Sequence, residues 1–544
     1  MASKKSSNNF LVQGGILATA AILVRFIGLL YRAPLINMIG KEGMGYYSNA
    51  YSIYNIALLI SSYSLPLAVS KLVASRTIKK QHRNSFRIFM TALVIGAAVG
   101  LIASLSVFFG ADYLAVKILE SPRSAIPLKV LAPTIFVFAI MGVLRGFFQG
   151  NNSMVQTSVS QVIEQIVNAI VSIVAAYFLL KRFGLSEDAS AYGAAGATLG
   201  TLLGAIASLI FLIFVFTLNR KFIKRKIVSD TSNYVDSYAM ISKMLAITVI
   251  PVILSQTVYQ LTGIIASSIF NKIMASQGHV EEVRVALIGL YSTIFLLLTN
   301  VPVSIASALA TAIVPSIVIS ITNGMMMEVK NKIGLGIKST MMVAFPSAAG
   351  LTVLASPIIQ LIFRRVEVEL PAKMLQIGSI AIIFFVFSTI TNGILQGLDK
   401  MHIPIIHSAI SLGIHVVFMY LLLTYAKIGI YALVIGNISF PLVVCILNWR
   451  YLRKLLDYQQ EIKKTFLIPC ISAIIMGIVA FLAYRGLYAL VSSNAISCIV
   501  AIILAVFVYF VLLITLKGIT EDELYKLPKG KMVIKLARRL FLIR

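Results

Sequence analysis

The stretch Leu23–Leu35, LVRFIGLLYRAPL, places two arginines inside a long apolar run. That run begins near Phe10 and continues to about Ile39. It is longer than the ~20 residues with which a helix crosses a bilayer. Arg25 and Arg32 stand seven residues apart, close to two helical turns, so both project from one face. An arginine at the bilayer centre costs roughly 2.5–3.5 kcal/mol on insertion scales, and it is retained where it faces a bundle interior or a water-filled cavity. With Phe10 at the inner boundary, Arg25 lies about 20 Å in and Arg32 near the far boundary, at a rise of about 1.5 Å per residue. The pattern predicts two guanidiniums that hold an anionic substrate in a polar cavity. Plainer readings compete: Arg25 would neutralise Glu164 or snorkel, and Arg32 would snorkel to the headgroups.

Composition puts the whole chain in the same class. Of 544 residues, 59% are hydrophobic and 12% charged, with a mean hydropathy of +0.93. This excludes a soluble domain and predicts an all-α integral membrane protein. The net charge of +28 invites a nucleic-acid partner. The basic residues, however, sit mostly in short loops between apolar runs, which is the positive-inside pattern, so no nucleic acid is expected. Cys445, Cys470 and Cys498 lie in apolar runs and offer neither metal spacing nor a disulfide framework. The short basic start, MASKKSSNNF, reads as leading into a retained first span.

About 14 transmembrane helices are predicted, at 10–39, 44–70, 86–110, 126–149, 154–180, 192–218, 241–271, 285–319, 337–363, 374–397, 403–426, 428–449, 465–490 and 495–516. With the N-terminus in the cytoplasm, segments on that side hold 32 lysines and arginines and the opposite loops 13, Arg145 being counted among the inner ones. Both termini are therefore expected to be cytoplasmic.

The chain repeats itself. SYSLPLAVSKLVA at 62–74 is similar to LTNVPVSIASALA at 298–310, and VLRGF at 143–147 to ILQGL at 394–398. Pro66 and Pro302 occupy matching places, late in the second span of each half. Six spans separate the copies, so they share one orientation, which predicts two parallel six-helix lobes with a binding site between them. The expected domains are an N-terminal lobe at 1–218, a cytoplasmic linker at 219–240 and a C-terminal lobe at 241–449. Two extra C-terminal helices at 450–516 and a basic tail at 517–544 complete the chain. The tail segment LPKGKMVIKLARRLFLIR at 527–544 reads as an amphipathic helix on anionic membrane lipids. Pro66, Pro251, Pro302, Pro315, Pro346 and Pro357 would let spans bend, as alternating access requires.

The chain carries no Walker A, no GxGxxG after a strand, no HExxH and no GxSxG, so no catalytic residue, metal or cofactor is expected and the protein reads as no enzyme. His407 and His415 share a helix face and are read as hydrogen-bonded packing residues. Most of the 19 carboxylates fall outside the spans; Glu164 is placed inside one, as an ion-pair, packing or coupling group, with Arg145 as a second structural or coupling residue. An exporter of cations would bury carboxylates toward its cavity. Arginine instead matches phosphate with a planar fork, so phosphate or pyrophosphate is the natural ligand. Tyr47, Tyr51 and Tyr54 form a stripe that would stack on sugar rings if it faces a cavity, and would be an aromatic belt if it faces lipid. The predicted substrate-binding set is Arg25, Arg32, Tyr51, Tyr54, Gln256 and Gln260.

RFIGLLYRAPLINMIGKEGMGYYSNAY at 25–51, LPLAVSKLVA at 65–74 and LRGFFQGNNSMVQTSVSQVIEQ at 144–165 resemble the polysaccharide-transporter branch of the multidrug/oligosaccharidyl-lipid/polysaccharide (MOP) exporter superfamily. The groups most alike are those of stage V sporulation protein B and the YtgP/MurJ-type lipid II flippases. The resemblance implies a MATE/MOP-like fold, a bacterial cytoplasmic membrane location and export of undecaprenyl-pyrophosphate-linked saccharides by alternating access. It also implies cavity arginines, matched here by Arg25 and Arg32. The second span, 44–70, has no basic residue, and the eighth has Arg284 only at its start, which departs from the lipid II flippase pattern. Transport would draw on H+, Na+ or the membrane potential. Two rivals are a cation-coupled multidrug or small-solute antiporter on the same scaffold, and a membrane glycosyltransferase or ligase, which would need a large catalytic outer loop.

Overall fold

The structure is a computed structural model. It describes residues 2–519 except 152, 233–234, 323, 364–365 and 401. Side chains are described from Ala20 on, apart from those residues and 21–22, 63, 251–252, 254–256, 258–259, 308–316, 318–319 and 322. The expected tail helix, Gln256 and the side chains of Pro251 and Pro315 thus lie outside the described residues.

Seventeen α-helices order the described chain, and no strand occurs among the described residues. Two compact units divide at Thr293/Ile294. The first holds α1 (Ala2–Leu58), α2 (Leu65–Ile78), α3 (His82–Lys117), α4 (Ala125–Gly150), α5 (Val155–Phe183), α6 (Ala189–Val228), α7 (Tyr238–Ser276) and α8 (Glu281–Leu290). The second holds α9 (Leu297–Thr322), α10 (Met326–Val353), α11 (Ala355–Ile362), α12 (Glu369–Gly378), α13 (Ala381–Gly397), α14 (His402–Thr424), α15 (Tyr431–Leu456), α16 (Ile468–Val491) and α17 (Asn494–Thr515).

Among the described residues, ten helices are long and apolar enough to cross a membrane, or twelve when each bent pair is one span. The fourteen sequence runs map onto these. The first two are carried by α1 and α2, which count once, and the seventh is α7, whose central side chains lie outside the described set. Gly40 divides the first two runs at φ 72°, ψ 177°, a conformation open to glycine and strained for other residues. The bent pairs are α10–α11, at 81°, and α12–α13, at 47°. Pro357 accounts for the first bend, because it has no N–H to continue the helix from Val353.

The sequence repeat has a local counterpart. A π-helical turn at Leu59–Tyr63 precedes Pro66, and another at Tyr291–Leu296 precedes Pro302. Each inserts a residue into the helical ladder just before a ring that interrupts it.

Without water in the bilayer core, helices associate through close packing and polar contacts rather than through the hydrophobic effect. Unit 1 follows this rule. Gly196, Gly200 and Gly204 of α6 bring its backbone against α5, where a Cβ on Gly196 would stand 2.5 Å from the Ala176 nitrogen. Gly142 and Gly146 of α4 receive Pro66. The end of unit 1 near α8 is tied by charge: Arg123 pairs with Asp188 at 2.9 Å and with Glu282, and Ser121 donates to Glu281 at 2.9 Å. In unit 2, α16 and α17 cover α10, with Met476, Ala480, Tyr509 and Leu513 in one buried cluster beside Met342 and Phe345. The Tyr509 hydroxyl donates to the Met342 carbonyl at 3.1 Å.

Candidate functional site

The polar interior of unit 1 is built from α1, α4, α5 and α6. Arg32 is half-buried on α1, where its guanidinium is hydrogen-bonded to the Tyr31 hydroxyl and lies beside Tyr47 and Tyr51. Its Nε is buried and has no hydrogen-bond partner among the described residues. The helical spacing of Tyr47, Tyr51 and Tyr54 makes a ladder, with ring centroids 4.6 Å apart in the first pair and 5.3 Å in the second. Tyr47 and Tyr54 are buried, and Tyr51 is half-buried with its hydroxyl on Thr201 Oγ1 of α6. The ladder therefore packs inside the unit rather than forming a lipid-facing belt.

Below the ladder, Tyr54 lies within electrostatic reach of Glu164. Arg145, 8% exposed, takes the Glu164 carboxylate at 2.7 Å and donates to Ser160 Oγ at 2.9 Å and Ser208 Oγ at 3.0 Å. An ion pair away from water holds when each charge is also hydrogen-bonded, and Arg145 meets that condition through three helices. Arg145 is therefore a helix-core residue and not a loop charge. Lys338, 5% exposed, also lies within a helix, α10.

The structure thus gathers Arg32, Tyr51, Tyr54, Glu164 and Arg145 into one unit. Arg25 is exposed on α1 and Gln260 is exposed on α7. Pro66 packs on Gly142 and Gly146, and Pro302 is buried in α9 of unit 2. Sequence reading missed Tyr31, Thr201, Ser160 and Ser208. Ser160 was findable, because it stands four residues before Glu164 and so shares its helix face. Thr201 and Ser208 were hidden in a run of small residues with no distinguishing spacing.

The fold is that of a multi-pass helical membrane protein. Residues 11–321 match the family model described as polysaccharide biosynthesis protein, and the chain belongs to that family. It is similar to stage V sporulation protein B of Bacillus subtilis (strain 168), 24% identical over 523 residues, covering 96% of this chain and 98% of the relative. Lipid II flippase MurJ of the same organism is 27% identical over 479 residues, covering 85% and 86%. Among solved structures, a lipid II flippase MurJ in an inward closed conformation superposes with TM-score 0.64 at 15% identity, covering 91% of this chain and 97% of that one. An inward-facing MATE family multidrug transporter superposes with TM-score 0.63 at 17% identity, covering 80% and 98%. At such identities the structural likeness shows the fold alone.

Proposed function

We propose that this protein flips an undecaprenyl-pyrophosphate-linked saccharide, lipid II or a related cell-envelope precursor, across the bacterial cytoplasmic membrane. The observation that carries the reading is the buried Arg32 Nε, which has no hydrogen-bond partner among the described residues and sits beside a ladder of tyrosines. A buried guanidinium N–H left unmade costs on the order of 1–3 kcal/mol or more, and a phosphate oxygen would satisfy it. Tyr47 and Tyr54 are buried, which leaves the half-buried Tyr51 as the ring a sugar would meet, and with the guanidinium it matches a pyrophosphate joined to a glycan. The family and the relatives support the same class.

In the proposed cycle, lobes 1–218 and 241–449, joined through 219–240, alternate access to the two membrane faces. Arg25 and Arg32 meet the pyrophosphate, while the lipid tail stays in the bilayer. The Arg145–Glu164 pair stiffens the first lobe. H+, Na+ or the membrane potential supplies the drive. A drug antiporter needs carboxylates facing its cavity, and Glu164 is taken by Arg145.

The test is complementation of bacteria depleted of their lipid II flippase, with membrane levels equalised and outward-facing lipid II assayed. Wild type restores flipping, and Arg32→Ala lowers it by about tenfold or more, the scale of one charge-assisted contact. Arg32→Lys retains part, since a point charge replaces the fork. Undiminished flipping in Arg32→Ala would remove the arginine from the mechanism. Failure of well-expressed wild type would point to another saccharide lipid.

A further inference from the structure

Unit 1 holds a second cavity, apart from the arginine–tyrosine interior. It lies where the start of α3, the end of α4, the start of α5 and the last turns of α6 meet, and its volume is ≈ 150 Å³. Phe147, Phe148 and Phe222 give it apolar walls, Lys226 gives it a cation and His82 an imidazole. No carboxylate among the described residues lines it. Lys226 Nζ rests 4.6 Å from the Phe222 ring centroid and meets no carboxylate among the described residues. Asp230 is close enough to act on His82, but its carboxylate accepts the Arg83 backbone N–H at 2.7 Å and that of Ser232 at 2.8 Å. The amine of Lys226 is thus left available to an external anion.

Position adds to chemistry. α6 has 40 residues, about 60 Å at 1.5 Å per residue, against a hydrocarbon core of about 30 Å. Its last turns therefore stand in the headgroup layer, where Arg220, Lys221, Lys224 and Arg225 are exposed. The N-termini of α3 and α5 open toward the same cleft, and their dipoles favour negative charge. A site with cations at a polar rim and phenylalanines behind fits a phosphate that carries an apolar chain.

We propose that this cleft binds a phosphate ester, the chemistry of an anionic phospholipid headgroup, with Lys226 as its cationic ligand and the His82 imidazole as a hydrogen-bond donor. The site is distinct from the proposed substrate interior, and its test does not depend on that reading.

The experiment uses the purified full-length protein in detergent, with binding read by native mass spectrometry and by the shift in unfolding temperature. The probes are dihexanoyl-phosphatidylglycerol, dihexanoyl-phosphatidylcholine and inorganic phosphate. Wild type binds the anionic lipid about tenfold tighter than the zwitterionic one, and the pair His82→Gln/Lys226→Gln loses about tenfold, as one or two charge-assisted contacts should. Lys226→Arg retains binding, and Lys454→Gln, an exposed basic position on α15, changes nothing. Competition by inorganic phosphate would assign the site to phosphate as such, and its failure to compete to the lipid-borne headgroup. Equal binding of the two lipids, or full binding by the double variant, would overturn the proposal. If the double variant unfolds without ligand, Lys226→Gln alone carries the same comparison.

Discussion

At the residue scale, Arg145 shows how a charge is made tolerable in an apolar helix. Its guanidinium is spent on Glu164, Ser160 and Ser208, and it is 8% exposed. Removing one partner of such a pair strands the other and costs about 3–5 kcal/mol, whereas removing both can be nearly neutral. Arg145→Met alone should therefore destabilise the protein by about that amount, and Arg145→Met/Glu164→Leu should regain most of it. Denaturant unfolding of the two variants in detergent checks this; a double variant no better than the single would mean that the two charges do not act as a unit. In unit 2, His407 Nδ1 shares a hydrogen bond with Asn448 Oδ1 at 2.7 Å, and Asn448 reaches Thr391 and Asn392 at 3.0 and 2.8 Å. His415 packs against Phe440 and Gly436.

At the scale of elements, α1 and α8 meet through a pair of glycines. A Cβ on Gly289 would lie 2.0 Å from the Lys41 carbonyl oxygen, and one on Gly45 the same distance from the Val285 carbonyl oxygen. Both obstacles are backbone, which cannot rotate aside as a side chain can. Gly289→Ala must therefore push α8 away from α1. The expected result is looser packing at that end, seen as faster reaction of a cysteine placed at Ser48 with a thiol reagent. An unchanged rate would mean that the close approach is not maintained in the membrane. The π-helical turns before Pro66 and Pro302 belong to this scale too, because a repeated proline brings a repeated departure from the helical ladder.

At the scale of the whole molecule, orientation follows from where the basic residues fall. With the N-terminus in the cytoplasm, Ser229 after α6 is cytoplasmic and Ser186 between α5 and α6 is external; both are exposed. In a background with Cys445, Cys470 and Cys498 replaced, Ser186→Cys should react with an impermeant maleimide in intact cells. Ser229→Cys should react only after permeabilisation. The reverse pattern would invert the topology and place the phosphate cleft on the outer face.

Membrane class, the position of the spans and the two arginines of the first helix were all legible in the amino-acid sequence. An apolar run is measured against a bilayer of nearly constant thickness, so its meaning is local. The repeat was legible as well, since equal sequence produced an equal break before Pro66 and Pro302. What each polar residue touches was not. Arg145 read as a structural or coupling residue near the end of the fourth span, and its partners Glu164, Ser160 and Ser208 came only with α5 and α6. The tyrosine ladder read as a sugar platform, a belt or helix packing until Thr201 met Tyr51. Period and spacing fix which residues share a helix face, but the neighbour that face meets depends on how each helix is rotated against the others. That rotation is set by close packing of small residues across helices distant in sequence, and only the tertiary structure decides it.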